Sequence, residues 1–287
     1  MLNSWLQDQS LKALLATWSN AINLDLLRLG TTADADEIKD TDNAQPLIVA
    51  TSLLGLQALG VKKCSVTTGH SVGELTAAVI SGAISHTDAL ILVRARGLEM
   101  AKAASISPAG MSAVLGGERS EVLSLLATLN LVAANDNGAG QIVAAGDLTA
   151  LAQLAQVPPT SARIRALAVA GAFHTNYMQP AIAPVRTVAA TLSTHPVSVP
   201  FISNKDGTVV TDSQQVLQLI VDQISNPVRW DLCMEQLKSL GVTGVIELPP
   251  AGTLVGLLKR AASEIESFAL KTPDDLTAAQ EFAERHA

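Results

Sequence analysis

The segment CSVTTGHSVGELTAAVI, residues 64–80, decides the predicted fold. Residues 64–68 are typical of a short strand, and the apolar spacing that follows predicts a helix over 72–82. Glycines flank Ser71 on both sides and allow a sharp turn between the two elements. This is the strand, turn and helix context of the G-x-S-x-G nucleophile elbow, so we expect Ser71 to be presented for attack. The alternative is an ordinary glycine-rich connection.

The elements around this turn change pattern twice. From residue 111 the predicted order is strand, helix, strand, strand, helix, strand, which is the ferredoxin-like βαββαβ arrangement. After Gly171 helices and strands alternate again. The sequence therefore predicts an α/β fold, in which a larger α/β-hydrolase-like subdomain with a parallel sheet (1–106 and 171–287) carries an inserted ferredoxin-like subdomain (107–170). We expect the functional site in the cleft between them.

The individual elements follow from the periodicity and the turn residues. Helices are predicted at 8–30, 45–60, 72–82, 87–103, 118–129, 148–156, 175–192, 213–224, 229–240 and 253–264. Strands are predicted at 64–68, 111–115, 131–134, 141–145, 163–169, 199–203 and 242–247.

Composition excludes several classes of protein. The 287 residues are 48% hydrophobic, with 19 basic against 26 acidic side chains for a net charge of −7, which excludes a disordered chain. The acidic balance and 3% aromatic content argue against nucleic-acid binding. Polar residues interrupt the most apolar stretch, 46–61, and the N-terminus lacks a secretory pattern, so we expect a cytoplasmic protein with no membrane span. Cys64 and Cys233 are expected to be isolated thiols, without a metal site.

A nucleophilic serine needs a base, and five histidines are available. His70 diverges from Ser71 in the turn, His86 lies about 20 Å away at the far end of the elbow helix, and His195 and His286 lie at a helix end and in a polar tail. His174 remains, where the insert returns to the larger subdomain. Taken alone, a histidine after an apolar segment is more often structural. No carboxylate is placed to complete a triad, so we expect a Ser-His dyad.

The helix over 87–103 returns alongside the elbow helix and brings an arginine near Ser71. About ten residues at 1.5 Å each place either Arg94 or Arg96 at that level, and only one of them can face the cleft. A guanidinium there suits a substrate with its own carboxylate. The alternative for either arginine is a solvated or capping role.

The chain resembles the bacterial malonyl-CoA:acyl-carrier-protein transacylases over nearly its whole length. The resemblance rests on several motifs in order: GHSVGE at 69–74, RG at 96–97, NDNGAGQIVAAG at 135–146, GAFHT at 171–175, QISNPVRW at 223–230 and ELPPAGTL at 247–254. Together they are more specific than the elbow alone.

The resemblance implies a role for each matched position. Ser71 carries the malonyl ester, His174 acts as base and then acid, and Arg96 binds the malonyl carboxylate. The backbone carbonyl of Gln223 orients His174, which accounts for the missing acid. The Phe173-His174 pair is similar to the form found with malonyl specificity.

Two further positions concern the surroundings of the serine. Asn137 matches a family asparagine near the cleft, although a turn residue in a glycine-rich hairpin is an equal alternative. The Val72 N–H is the identifiable donor of the oxyanion hole.

The resemblance also shows a departure at the start. The family begins with a buried strand and a Pro-Gly-Gln-Gly-x-Gln loop, whose glutamine supplies a second oxyanion-hole N–H, and this sequence begins after it. We expect the recorded start to be late by about a dozen residues or more. An intact native mass matching residues 1–287 would reject this expectation, and weak activity would then be expected.

The implied reaction is ping-pong transfer of malonyl from malonyl-CoA to the phosphopantetheine thiol of acyl carrier protein, in fatty-acid biosynthesis. The CoA thioester is a substrate, and we expect no cofactor or metal and a monomer. Ser71 and His174 alone also permit a serine esterase or thioesterase. A catalytically impaired interaction module is the alternative from a different class.

Overall fold

The first hundred residues fold mostly as helices, and polar side chains fix where these helices begin. The computed structural model describes residues 2–61 and 63–287, so the prediction about the chain start at Met1 lies outside it. The carboxylate of Asp8 caps the first helix and the carboxylate of Asp25 caps the second. Between them Asn23 adopts the left-handed conformation with φ 48°. The single predicted helix over 8–30 is therefore wrong, because it divides into two helices.

The elements of this first part lead to the elbow. They are α1 (Gln9–Ile22), α2 (Leu26–Thr31), α3 (Ala35–Lys39), α4 (Thr41–Leu59), β1 (Thr67–Thr68), α5 (Gly73–Ile80) and α6 (His86–Ala104).

The middle of the chain supplies two helices and four strands of a five-stranded sheet. Its elements are β2 (Ala109–Gly116), α7 (Arg119–Thr128), β3 (Val132–Asp136), β4 (Gln141–Asp147), α8 (Leu148–Gln156) and β5 (Ala162–Ala166). The strand order β5-β2-β4-β3, antiparallel throughout, is that of the ferredoxin-like fold. The predicted strand 163–169 ends earlier, at Ala166. The subdomain boundaries at 107 and 170 stay predictions.

The last part returns to alternating helices and strands. Its elements are α9 (Gln179–Ala189), β6 (Phe201–Ile202), β7 (Val209–Val210), α10 (Ser213–Asp222), β8 (Val228–Arg229), α11 (Trp230–Ser239), β9 (Gly244–Glu247), α12 (Thr253–Ala261), β10 (Glu266–Ala269) and α13 (Leu276–Arg285). The predicted helix 175–192 opens with a 3₁₀ turn, Asn176–Met178.

Parallel pairing links distant segments of the chain. Strand β1 pairs with β6 through Thr67↔Phe201 and Thr68↔Ile202, and β9 pairs with β10, both in parallel. Strand β8 leaves the last part and extends the small sheet beside β3, also in parallel. This strand was not predicted, and it joins the two parts of the molecule next to the 3₁₀ turn at Gln223–Ser225. The predicted strand 64–68 is shorter than expected, since only Thr67 and Thr68 pair.

Helix α6 lies at the centre of the larger core, packed between α4 and α9. Its fully buried Leu90, Leu92 and Val93 join apolar side chains from these neighbours and from α5 in one cluster. This packing fixes the position of Arg96, which lies on the same helix. Within residues 2–61 and 63–287, no helix combines the length and apolar character that crossing a membrane requires.

Candidate active site

The turn between β1 and α5 carries Ser71 in the left-handed region, with φ 52°. A residue other than glycine rarely adopts this conformation, and it is held here by the turn bonds from Gly73 N–H to His70 O and from Glu74 N–H to Ser71 O, each 3.0 Å. The strained turn lifts the serine side chain out of the backbone path. Ser71 is partly exposed.

The imidazole of His174 contacts the hydroxyl group of Ser71. Its Nε2 lies 2.7 Å from Ser71 Oγ, and its Nδ1 lies 2.9 Å from the carbonyl oxygen of Gln223. A carbonyl oxygen only accepts hydrogen bonds, so Nδ1 carries the proton and Nε2 is free to accept from the serine. The geometry is that of a nucleophile, a base and an orienting acceptor, and the acceptor is a backbone carbonyl.

The imidazole of His174 is held in its neutral form. The side chain is 4% exposed, and burial followed by the positive charge of Arg96 lowers the pKa of His174 to about 3. A neutral imidazole at neutral pH can take the serine proton without first losing one of its own.

Arg96 provides the third side chain at Ser71. Its Nη2 donates to Ser71 Oγ at 3.3 Å and to Gln223 Oε1 at 2.7 Å, and its Nη1 donates to Gln45 Oε1. Arg94 points away and donates to the backbone oxygen of Asp42 at 2.6 Å. The choice that spacing left open between the two arginines is therefore resolved by position in favour of Arg96.

The guanidinium of Arg96 is buried without a carboxylate partner. It is 1% exposed, and among the described residues no acidic oxygen lies within 4.0 Å of it. Burial lowers the pKa of Arg96 to about 10, against the opposing charge of Glu74. The group stays positive at neutral pH, and its Nε has no hydrogen-bond partner in the described part of the chain. Such a cation favours an incoming carboxylate.

Three other predicted positions surround this centre. Val72 follows Ser71 at the start of α5, and its N–H has no acceptor among residues 2–61 and 63–287, which leaves it free for an oxyanion. Asn137 lies in the turn after β3 and accepts a hydrogen bond from His70 Nε2 at 2.8 Å, so its contact is with His70. Phe173 packs between the larger core and the small sheet, directly before His174.

Sequence reasoning missed a buried polar group behind the serine. Glu74 is fully buried, accepts from Asn204 N–H at 2.7 Å and from Gln223 Nε2, and has its pKa raised to about 8 by burial. The only local signal was an acid three positions after Ser71, inside the GHSVGE motif. The side chains of Gln45, Asn204 and Gln223 gave no signal of their own.

Within the described ranges, no group of three or more His, Cys, Asp or Glu side chains is disposed to hold a metal ion. Cys64 is exposed and Cys233 is buried, and both are free thiols.

The sequence also matches a known family over most of its length. Residues 9–280 match the family described as "Acyl transferase domain". The chain belongs to the acyl transferase family. A malonyl CoA-acyl carrier protein transacylase of Mycobacterium tuberculosis is 50% identical over 281 residues, which cover 96% of this acyl transferase and 93% of that protein.

Solved structures agree with this assignment. The crystal structure of MCAT from Mycobacterium tuberculosis superposes on this acyl transferase with a TM-score of 0.94 and 49% identity, covering 97% of this chain and 94% of that one. A second structure, of a type II PKS acyl-carrier protein in complex with its malonyl-transacylase, contains a chain that matches with a TM-score of 0.92 and 26% identity. The match covers 98% of this chain and 94% of that one. The predicted α/β fold is confirmed, and so is the predicted class of enzyme.

Proposed function

We propose that this acyl transferase moves the malonyl group of malonyl-CoA to the phosphopantetheine thiol of acyl carrier protein, in fatty-acid biosynthesis, through an ester on Ser71. One observation carries the proposal: Ser71 Oγ contacts both the neutral imidazole of His174 at 2.7 Å and the buried guanidinium of Arg96 at 3.3 Å. The imidazole suits acyl transfer, and the guanidinium suits an acyl group that ends in a carboxylate. The names of the relatives support the same reaction.

In the first half-reaction, Ser71 Oγ attacks the thioester carbon while its proton passes to His174 Nε2. The negative charge that develops on the thioester oxygen is stabilised by the Val72 N–H. The carbon–sulfur bond then breaks, and His174 returns the proton to the leaving sulfur. CoA departs as its thiol, and Ser71 holds the malonyl ester.

In the second half-reaction, the thiol of the carrier's phosphopantetheine replaces CoA. His174 takes the thiol proton, the sulfur attacks the ester carbon, and the bond to Ser71 Oγ breaks. His174 gives the proton back to the serine. No group changes oxidation state, so we propose that the reaction needs neither a cofactor nor a metal.

Arg96 links substrate choice to the strength of the base. Its positive charge is the second cause of the low pKa of His174, after burial. A malonyl carboxylate bound to Arg96 neutralises that charge and so raises the basicity of His174. The substrate's own carboxylate would then both anchor the acyl group and strengthen the base that activates Ser71.

The decisive experiment is incubation with radiolabelled malonyl-CoA in the absence of a thiol acceptor. We expect one stable malonyl ester, located at Ser71 by peptide mass analysis, which holo-acyl carrier protein then discharges. Continuous release of free malonate would instead indicate an esterase or thioesterase. No labelling, even with an N-terminally extended chain, would support a non-catalytic interaction module.

Replacement of the guanidinium tests the acyl preference. Arg96→Ala should lower kcat/KM for malonyl-CoA by about 10- to 100-fold, the value of a charge-assisted hydrogen bond. The rate of transfer from acetyl-CoA should stay the same or increase, because removing the positive charge raises the pKa of His174. Arg94→Ala is the matched control on α6, since Arg94 contacts Asp42. Equal losses for the two acyl groups would refute the role of Arg96 in binding the malonyl carboxylate.

The low pKa of His174 predicts that kcat/KM changes little as the pH falls below neutral. Between about pH 7.5 and about pH 5.5 we expect kcat/KM for malonyl-CoA to change less than about twofold, whereas a base with the ordinary pKa of 6.5 would lose about tenfold. Rates are corrected for the folded fraction, measured by circular dichroism. This correction is needed because the stability from the buried neutral imidazole is complete above pH 6.5 and lost as pH falls toward the lowered pKa. A tenfold loss in the folded enzyme would contradict this assignment.

We further propose that the enzyme works as a cytoplasmic monomer. Each Ser71 site is built from residues of one chain, so catalysis requires no second copy. Sedimentation of the enzyme with and without the carrier protein tests the monomeric state.

A further inference from the structure

The side chain of Gln223 connects groups that the proposed mechanism treats separately. Its Oε1 accepts from Arg96 Nη2 at 2.7 Å, and its Nε2 donates to Ser71 O at 3.0 Å and to Glu74 Oε2. Its backbone oxygen accepts from His174 Nδ1. One buried residue therefore contacts the serine, the base and the arginine.

The two ends of this amide are not interchangeable. Arginine only donates, so Arg96 requires the oxygen end of Gln223. The nitrogen end must then find acceptors on the opposite side, where it meets Ser71 O and Glu74. Glu74 accepts at both carboxyl oxygens, one from Asn204 N–H at 2.7 Å and one from Gln223. A flipped amide would place donor against donor at Arg96.

Among the described residues, the hydrogen bonds that connect Glu74 to Arg96 run through this amide. No acidic oxygen lies within 4.0 Å of the guanidinium among the described residues, so Glu74 and Arg96 form no direct ion pair. Besides Gln223, the described partners of Arg96 are Gln45 Oε1 and Ser71 Oγ itself. The acceptor supplied by Gln223 is one of two amide oxygens that hold the guanidinium beside Ser71.

We propose that Glu74 is a positioning residue that fixes the orientation of the Gln223 amide, and through it the place of the Arg96 guanidinium beside Ser71. Its role is in the preference for acyl groups that carry a carboxylate, and it touches neither the substrate nor the reacting atoms. The inference rests on the proposed function, because it needs Arg96 to bind that carboxylate.

Glu74→Gln is the test, because it keeps the shape of the side chain and replaces one acceptor with a donor. If the introduced amide keeps its oxygen toward Asn204 N–H, its nitrogen faces Gln223, which must flip and turn its own nitrogen toward Arg96. We expect the ratio of malonyl to acetyl kcat/KM to fall by about tenfold, with most of the change in KM for malonyl-CoA. Acetyl transfer should fall much less.

Thr76→Val is the matched control. Thr76 lies two residues further on the same helix, is buried, and its hydroxyl has no partner among the described residues. The substitution is nearly isosteric, so the acyl ratio should stay at the wild-type value. A drop equal to that of Glu74→Gln would show that any disturbance of α5 has this effect, and would overturn the proposal.

The double variant Glu74→Gln with Gln223→Glu separates positioning from structural support. Its hydrogen bonds to position 74 and to Arg96 become complementary again, since a carboxylate at position 223 accepts both from the amide introduced at position 74 and from Arg96, and only the bond to Ser71 O is lost. We expect the melting temperature to recover toward wild type. The acyl ratio should stay low, because the new carboxylate occupies the guanidinium.

The outcomes are distinct. A Glu74→Gln enzyme that melts earlier yet keeps the wild-type acyl ratio overturns the proposal and leaves Glu74 a structural residue. If that variant does not fold, Glu74→Asp decides, because it keeps the carboxyl group but draws it back from Gln223 Nε2, and a wild-type ratio there overturns the proposal equally. Failure of the wild-type enzyme to form the Ser71 ester would refute the proposed function instead.

Discussion

Replacing His174 with asparagine should lower the rate of Ser71 malonylation by about 10²–10⁴-fold, the usual contribution of a positioned general base. Asparagine is the informative substitution because His174 has φ 62°, a left-handed conformation that asparagine tolerates. Its amide can still donate to the carbonyl of Gln223, so the local backbone is preserved. What is lost is the lone pair 2.7 Å from Ser71 Oγ.

The rate is measured in a single turnover by rapid quench, with labelled malonyl-CoA and acid precipitation of the protein. His195→Asn serves as the control, since His195 is exposed and its backbone N–H donates to Ala83 O. That variant should retain the full rate. A His174→Asn enzyme within tenfold of wild type would mean that another group removes the serine proton.

Sequence predicts well the features that depend on residues close together in the chain. The elbow around Ser71 is readable because strand, turn residues and helix follow within a few positions. The ferredoxin-like strand order follows from a run of alternating elements that the chain forms consecutively. His174 came from elimination, which succeeded because the chain holds only five histidines.

The features that sequence does not reveal depend on long-range contacts without periodicity. Gln45 reaches Arg96 across 51 positions, and Gln223 reaches Glu74 across 149. An isolated glutamine carries no pattern that marks it as buried. Strand β8 was missed for the same reason, because two paired residues are too short for an alternation. The break between α1 and α2 was readable in principle, from Asn23 and the capping Asp25.

The buried polar network also explains why the site can keep a cation beside a weak base. Arg96 is held by amide oxygens, which orient its charge without cancelling it. A carboxylate in direct contact would neutralise the guanidinium and remove its attraction for malonyl. The amide of Gln223 therefore lies between the carboxyl group of Glu74 and the guanidinium, and keeps the two from direct contact.

Gly69→Ala should be the most damaging substitution in the elbow outside the reacting groups, while Gly73→Ala should be nearly silent. A Cβ at Gly69 would lie 2.2 Å from the carbonyl carbon of Gly73 and 2.3 Å from Glu74 N, which are backbone atoms that cannot rotate away. A Cβ at Gly73 meets nothing within 4 Å, and its φ is not positive. Only the first glycine of the G-x-S-x-G pattern is therefore sterically required.

The clash at Gly69 must be relieved by moving the start of α5 away from β1. That shift carries Ser71 away from His174 and changes the aim of the Val72 N–H, so two contributions to catalysis fall together. We expect kcat/KM for malonyl-CoA to drop by about 10³-fold, since a displacement of about 1 Å costs about 10²-fold and a misplaced oxyanion donor costs more. Malonylation of the folded fraction, with Gly73→Ala beside it, measures the difference. Comparable rates in the two variants would show that the turn is more compliant than its packing implies.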